Sequence, residues 1–270
     1  MVNDYLFSER IVDRHRRWWR EKEPHPHKNL AGKLIGPPFV EASGFKTPVI
    51  YSVVDTADEI PDFSSLPNSF VIKPSRGWSA KNIYVMVDGI NQLDKQAYSR
   101  ENIVQLMKEK TVVETDKNLK ILIEEYLINW DEDTSIPPYD YKFFVFGKSL
   151  AFCHIIERNS NSDASMNRHW YVDENFESIN MKVITTQIPE TEMCDKPDCW
   201  DELVNTAIGL GERLGIFMRV DLYATNRGAV FGEFTPQPQG GKGFTPAADR
   251  WLGSLWRGKE GADGLDYHLD

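Results

Sequence analysis

The chain has 270 residues, of which 41% are hydrophobic, 12% aromatic and 27% charged, a composition that can bury a sizeable core and excludes a disordered chain. Its formal charge of −10 argues against a nucleic-acid binder that works through a broadly basic surface. There is no run of about eighteen apolar residues to span a bilayer, and MVNDYLFSER lacks the apolar stretch of a signal peptide.

An odd count of three cysteines fits a reducing compartment, and the expected location is cytoplasmic. Cys194 and Cys199 have a C-x4-C spacing with no second pair, and read as free thiols. Residues 8–23, SERIVDRHRRWWREKE, read as an amphipathic helix with a cationic face, anchored by Trp18 and Trp19. EPHPHKN then breaks the helix, with His25 and His27 in a loop. In SFVIKPSRGWSAKNIYVMVD (69–88) an apolar strand ends in Lys73, a small polar loop follows, and a second strand resumes at Asn82. A Walker loop would open a helix here; a strand–loop–strand can still cradle phosphate through backbone N–H groups beside a lysine.

SRENIVQLMKEK (99–110) reads as a helix capped by Ser99. LKILIEEYLINWDED (119–133) is a buried strand that runs into an acidic segment. YDYKFFVF and SLAFCHIIER are two strands around a Gly147-Lys148 turn. Residues 157–175 read as a long polar loop, and 198–215 as a helix capped by Asp198 and stopped by Gly215. TPQPQGGKGFTPAADRW passes through Pro and Gly into a terminal helix. Strand pairs alternate with helices through hairpin-like connections, which predicts an α+β fold with antiparallel sheets.

RVDLYATNRGAVFGEF (219–234) reads as two strands joined by a three-residue turn, Asn226-Arg227-Gly228. Thr225 then faces Ala229, Asp221 faces Glu233 and Arg219 faces Thr235, with Val220 and Leu222 on the core face. Two carboxylates about 5 Å apart repel unless something positive lies between them. Two readings stand open on spacing alone. One is a magnesium site, in which hard oxygens share the ion with substrate phosphates. The other is a surface pair neutralised by Arg219.

These segments together resemble an ATP-grasp protein of the teichuronopeptide-biosynthesis (TupA-like) branch. FVIKPSRG resembles the lysine strand and phosphate-covering loop, and IEEYL the hinge strand beside adenine. DYKFFVFGK resembles the strand after the hinge, and MRVDLY…FGEFTPQPQGG the metal ribbon. The resemblance runs over roughly residues 27–250 and implies two α+β lobes with antiparallel sheets gripping ATP. The implied division is a helical segment 1–27, an N-terminal lobe 28–126 and a C-terminal lobe 127–270, with the usual domain before the lobes reduced.

The resemblance also implies roles. Lys73 and Lys28 neutralise ATP phosphates, with Lys33 competing for the second role. Glu124, Glu125 and Leu127 line the adenine pocket, and Asp131 takes the ribose, with Glu132 as alternative. Lys142 reaches the γ-phosphate, and Arg219 stabilises the transferred group. Asp221 holds one Mg2+ and Glu233 bridges two; Thr235 stands where many members have asparagine. The implied activity is a carboxylate–amine ligase using ATP and Mg2+, through an acyl phosphate, with backbone N–H groups near Gly240-Gly241 facing the oxyanion. Its substrates are a small-molecule acid and amine, an amino acid or small peptide in cell-surface polymer or natural-product synthesis. Neither nucleic acid nor membrane is an expected partner, and a dimer is one open assembly. A kinase acting on a hydroxyl and a nucleotide-binding module without turnover are the alternatives.

Overall fold

Two antiparallel sheets, each with one apolar face and one partly polar face, arrange the chain. The structure is a computed structural model and describes residues 6–75, 82–110, 119–133, 137–159 and 163–263. In the first sheet, β2 (Ser69–Pro74) and β6 (Ile121–Glu125) pair with Ile72 opposite Ile123 and Lys73 opposite Leu122. β1 (Ile50–Val54), β3 (Tyr84–Val87), β4 (Ile90–Asn91) and β5 (Gln96–Ala97) complete the order β1-β6-β2-β3-β4-β5. Because side chains alternate along a strand, Phe70, Ile72, Ile121 and Ile123 share one face. Ile103 and Met107 of α3 (Arg100–Lys110) bury that face. Ser99 caps this helix as expected: its Oγ accepts the Asn102 N–H at 3.3 Å, and its own N–H donates to Asn102 Oδ1 at 3.0 Å. Val71, Lys73, Leu122 and Glu124 lie on the opposite face.

The second sheet has the order β11-β10-β7-β8-β9. Its strands are β7 (Asp140–Phe146), β8 (Ser149–Glu157), β9 (Arg168–Val172), β10 (Phe217–Thr225) and β11 (Gly228–Thr235). Tyr141, Phe143, Val145, Val220 and Leu222 pack with Leu203, Ala207 and Leu210 of α4 (Trp200–Leu214). The other face divides along the strands. At one end Phe144, Phe146, Phe152 and Phe217 pack with α1 (Phe7–His15) and α5 (Pro246–Leu255). Phe7 meets Phe217 and Phe244 edge-on at 4.9 and 5.1 Å. Its burial is worth about 2–3 kcal/mol. At the other end the same face carries Asp140, Lys142, His154 and Asp221.

Outside the 219–235 ribbon, the structure departs from the sequence reading in four places. The loop expected over 157–175 contains the edge strand β9, whose Trp170 and Val172 feed the α4-side core. The first residue of α4 is Trp200 and its cap position is Cys199, so Asp198 falls outside; Gly215, left-handed at φ 60°, does end it. Residues of the 28–49 segment, read with the N-terminal lobe, pack on the five-stranded sheet instead. Leu30 and Val40 belong to its core, and Phe39 of α2 (Gly36–Ala42) meets Phe234 at 6.0 Å. Finally, part of the cationic face of the first helix turns inward. Arg14 is fully buried and donates to the carbonyls of Phe217, Pro236 and Glu260, while Trp18 is buried and Trp19 exposed. His25 stacks on Trp18 at 4.5 Å.

Candidate active site

The ribbon places Asp221 opposite Glu233 and Arg219 opposite Thr235, as the spacing predicts, but by another route. The turn is two residues, Asn226-Arg227, so Thr225 pairs with Gly228 rather than Ala229. One extra residue in β11, Gly232, then restores the register as a bulge between the pairs Leu222–Phe231 and Asp221–Glu233. Glycine fits there because a Cβ would meet Tyr223 Cε2 at 2.9 Å and the Asp221 carbonyl oxygen at 3.1 Å. Val220 and Leu222 are fully buried on the core face.

Side-chain cations answer the carboxylate repulsion. Arg219 grips Asp221 with two hydrogen bonds, Nε to Oδ1 at 2.7 Å and Nη2 to Oδ2 at 2.6 Å. Lys142, directly opposite Asp221 on β7, donates to Oδ2 at 2.6 Å. Asp221 is only 4% exposed, and burial alone would discourage its charge. The Arg219 and Lys142 charges outweigh that and hold its carboxyl at about 2. Arg219 Nη2 also donates to Thr235 Oγ1 at 2.8 Å and to Glu233 Oε1 at 3.3 Å. Glu233 is shifted the other way: burial, then the adjacent Asp221 charge, push its carboxyl up. With 48% of its side-chain surface exposed, the neighbouring charge is the weightier cause.

On the first sheet, Lys73 Nζ pairs with Glu124 on the face opposite α3. Of the two candidate lysines, Lys33 is the one the fold brings to this group. Its Nζ donates to the Pro74 carbonyl at 3.0 Å, and burial, then the Lys73 charge, lower its pKa against the pull of Glu233 and Glu124. Lys28 Nζ reaches the Glu23 carbonyl at 3.4 Å. Lys33 therefore lies within electrostatic reach of the lysine–glutamate pair of one sheet and of Glu233 of the other.

Where the resemblance puts the hinge, Glu124 and Leu127 are buried. Glu125 Oε2 accepts from the Val49 N–H at 3.0 Å and from Arg227 Nη2 at 2.7 Å, which ties the ribbon tip to the end of β6. Asp131 and Glu132 are exposed; Asp131 Oδ1 accepts the Asp133 N–H at 3.0 Å, and Glu132 is left-handed at φ 62°. In the PQGG turn the Gly240 N–H donates to the Gln237 carbonyl at 3.0 Å, so it is engaged within the turn. Of the expected phosphate-covering segment 75–81, residues 76–81 lie outside the described residues, as do 160–162 of the 157–175 segment.

Three residues that the sequence reading passed over join this cluster. Asp140 lies with Oδ1 3.8 Å from Lys142 Nζ and Oδ2 2.5 Å from Arg158 Nη2. Tyr223 is pushed well up by burial, then by Asp140 and Glu233. The signal available was parity: Asp140 is two residues from Lys142, and Tyr223 two from Asp221. Behind Lys142, His154 and His169 share a hydrogen bond of 3.1 Å, both lowered by burial first. Charges thus alternate along the floor from Arg158 through Asp140, Lys142, Asp221 and Arg219 to Glu233.

Among the described residues no group of three or more His, Cys, Asp or Glu side chains could hold a metal ion. The ribbon offers two carboxylates and a hydroxyl, all hard oxygens on one face. These are the oxygen types that magnesium takes, and here Arg219 Nη2 bridges all three, so an ion would share or displace that guanidinium.

The TupA-like ATP-grasp family model matches residues 12–257. Among solved structures, the L-amino acid ligase of Bacillus licheniformis superposes with TM-score 0.50 at 11% identity, covering 93% of this chain and 51% of that one. The D-alanine–D-alanine ligase of Bacillus anthracis gives 0.49 at 15% identity over 84% and 63%. That of Helicobacter pylori gives 0.48 at 16% identity over 79% and 56%. The chain therefore spans about half to three fifths of the length of these ligases. No curated protein matches it in sequence. No helix among the described residues is long and apolar enough to cross a membrane.

Proposed function

This chain belongs to the TupA-like ATP-grasp family, and from that premise we propose that it is an ATP-dependent carboxylate–amine ligase. ATP phosphorylates a carboxylate, and an amine displaces phosphate from the acyl phosphate to form an amide. The acid is an amino acid or small peptide, in cell-surface polymer or natural-product synthesis. The observation that carries the reading is the opposed Asp221–Glu233 pair, interlocked with Arg219 and Lys142 and with Lys33 close enough to feel both Glu233 and the Lys73–Glu124 pair.

Adenine lies against the hinge at Glu124, Glu125 and Leu127, with Asp131 near the ribose. Lys73 and Lys33 take the α- and β-phosphates, the role for which Lys28 was the other candidate. Lys142 Nζ and the Arg219 guanidinium donate to oxygens of the transferred phosphoryl group, and Asp221 keeps both cations fixed beforehand. Magnesium held by Asp221, Glu233 and Thr235 would neutralise phosphate charge. Formal charge supports two ions. The cations Lys33, Lys73, Lys142, Arg158 and Arg219 outnumber Glu124, Asp140, Asp221 and Glu233 by one. Two magnesium ions cancel a fully ionised ATP, so that surplus remains for one substrate carboxylate.

The test is incubation with ATP, Mg2+ and amino acids in pairs, with ADP, free phosphate and product mass measured together. An amide formed in step with ADP and phosphate is the expected result. A phosphorylated acceptor without free phosphate would make the protein a kinase, and ATP binding without turnover would make it a binding module.

A further inference from the structure

We propose that Arg158 is a further catalytic residue, which contacts the γ-phosphoryl group of bound ATP, and that Asp140 positions it. This rests on the ATP-grasp reading above. Arg158 follows β8 directly, and strand parity sets where it points. Lys142 pairs with His154 and Asp140 with Ile156, so His154, Ile156 and Arg158 alternate onto the face that carries Asp221.

Arg158 Nη2 is 2.5 Å from Asp140 Oδ2, yet off the line that a hydrogen bond needs. That oxygen counts among the buried polar atoms without a hydrogen-bond partner. Asp140 is 6% exposed, and the Lys142 ammonium, 3.8 Å from its other oxygen, is too far to donate. A buried carboxylate is retained where it is paired, and a charge in that position can hold a neighbouring cation in place. Here the carboxylate is bracketed by two cations, one of which already belongs to the phosphoryl site. Arg158 therefore stands one carboxylate's width from Lys142.

Availability separates Arg158 from its neighbours. The Arg219 side chain is 13% exposed and doubly bonded to Asp221, and Lys142 is bonded to the same carboxylate. The Arg158 side chain is 44% exposed and ion-paired with the single carboxylate of Asp140, so part of its fork is open to an incoming anion. A guanidinium fork suits two non-bridging phosphate oxygens. During transfer, the bond from phosphorus to the bridging oxygen breaks and its electron pair leaves with ADP. The bond from phosphorus to the substrate carboxylate forms. Arg158 donates hydrogen bonds throughout and neither gains nor loses a proton.

The experiment is a binding titration with Mg2+ and either ADP or a non-hydrolysable ATP analogue, on wild type, Arg158→Ala, Arg158→Lys, Asp140→Asn and Arg168→Ala. Arg168 is a similarly exposed arginine paired with Glu157. Arg158→Ala should lose about tenfold or more in affinity for the analogue, and no more than about twofold for ADP. Arg158→Lys should recover part of the loss, and Arg168→Ala should match wild type for both nucleotides. Asp140→Asn should narrow the analogue-to-ADP ratio; a lowered melting temperature with an unchanged ratio would remove its positioning role. Equal losses for both nucleotides, or none, in Arg158→Ala would overturn the assignment of Arg158 alone. A wild-type protein that binds neither nucleotide would overturn the ATP-grasp activity and this role with it.

Discussion

Neutralising the two ribbon carboxylates one at a time should have opposite consequences for stability. Asp221→Asn removes the charge that holds Arg219 and Lys142, and leaves two nearly buried cations uncompensated. The drop of the Asp221 carboxyl from 3.8 to about 2 corresponds to about 2–3 kcal/mol. Breaking a buried ion cluster by removing one partner typically costs about 3–5 kcal/mol, so a loss in that range is expected. A depressed carboxyl contributes stability above its unfolded value and loses it as pH falls towards the folded one. The Asp221 share should therefore be present at pH 5 to 7 and vanish between about pH 4 and pH 2. Glu233 is raised instead, so its ionised form opposes folding at neutral pH. Glu233→Gln should then be neutral or stabilising, by no more than about 1 kcal/mol for so exposed a group. It should nevertheless lose nearly all ATP turnover. Urea unfolding at pH 7, pH 5 and pH 3, with turnover measured at pH 7 on the same preparations, reads both effects. Equal destabilisation by the two substitutions, or an active Glu233→Gln protein, would refute the reasoning.

Lys33→Ala should weaken Mg2+-ATP binding about tenfold or more, while Lys28→Ala leaves it within about twofold, as titration calorimetry would report. Lys73→Ala should lose nucleotide binding where Lys148→Ala, in the exposed β7–β8 turn, keeps it; equal affinities would sink the phosphate role of Lys73. Gly232→Ala should cost about 1–3 kcal/mol in thermal melts and weaken Mg2+-ATP binding, because its Cβ runs into Tyr223 and the Asp221 carbonyl. Arg14→Ala should destabilise by about 3 kcal/mol or more, since three carbonyls and the Glu260 carboxylate each lose a donor.

Local pattern carries much of what can be read in this chain. Apolar runs in FVIK and ILIE marked the paired strands, Ser99 marked a helix start and Gly215 a helix end. The antiparallel α+β class followed from hairpin-like spacing. Counting residues around Asn226-Arg227 put Asp221 opposite Glu233, although the turn is shorter than expected and the bulge at Gly232 makes up the difference. A bulge leaves little local signature, because its glycine is required by the Tyr223 ring packed against it. Other features depend on contacts between distant segments. Nothing near Lys28 or Lys33 says which ammonium reaches Lys73, since that depends on how the segment before α2 lies across the cleft. The inward turn of Arg14 depends on carbonyls more than two hundred residues away. That Lys142 joins Arg219 at Asp221 likewise waits on β7 docking beside β10. Charges cluster where sheets bring strands together, and strand order is a property of the fold rather than of any one strand.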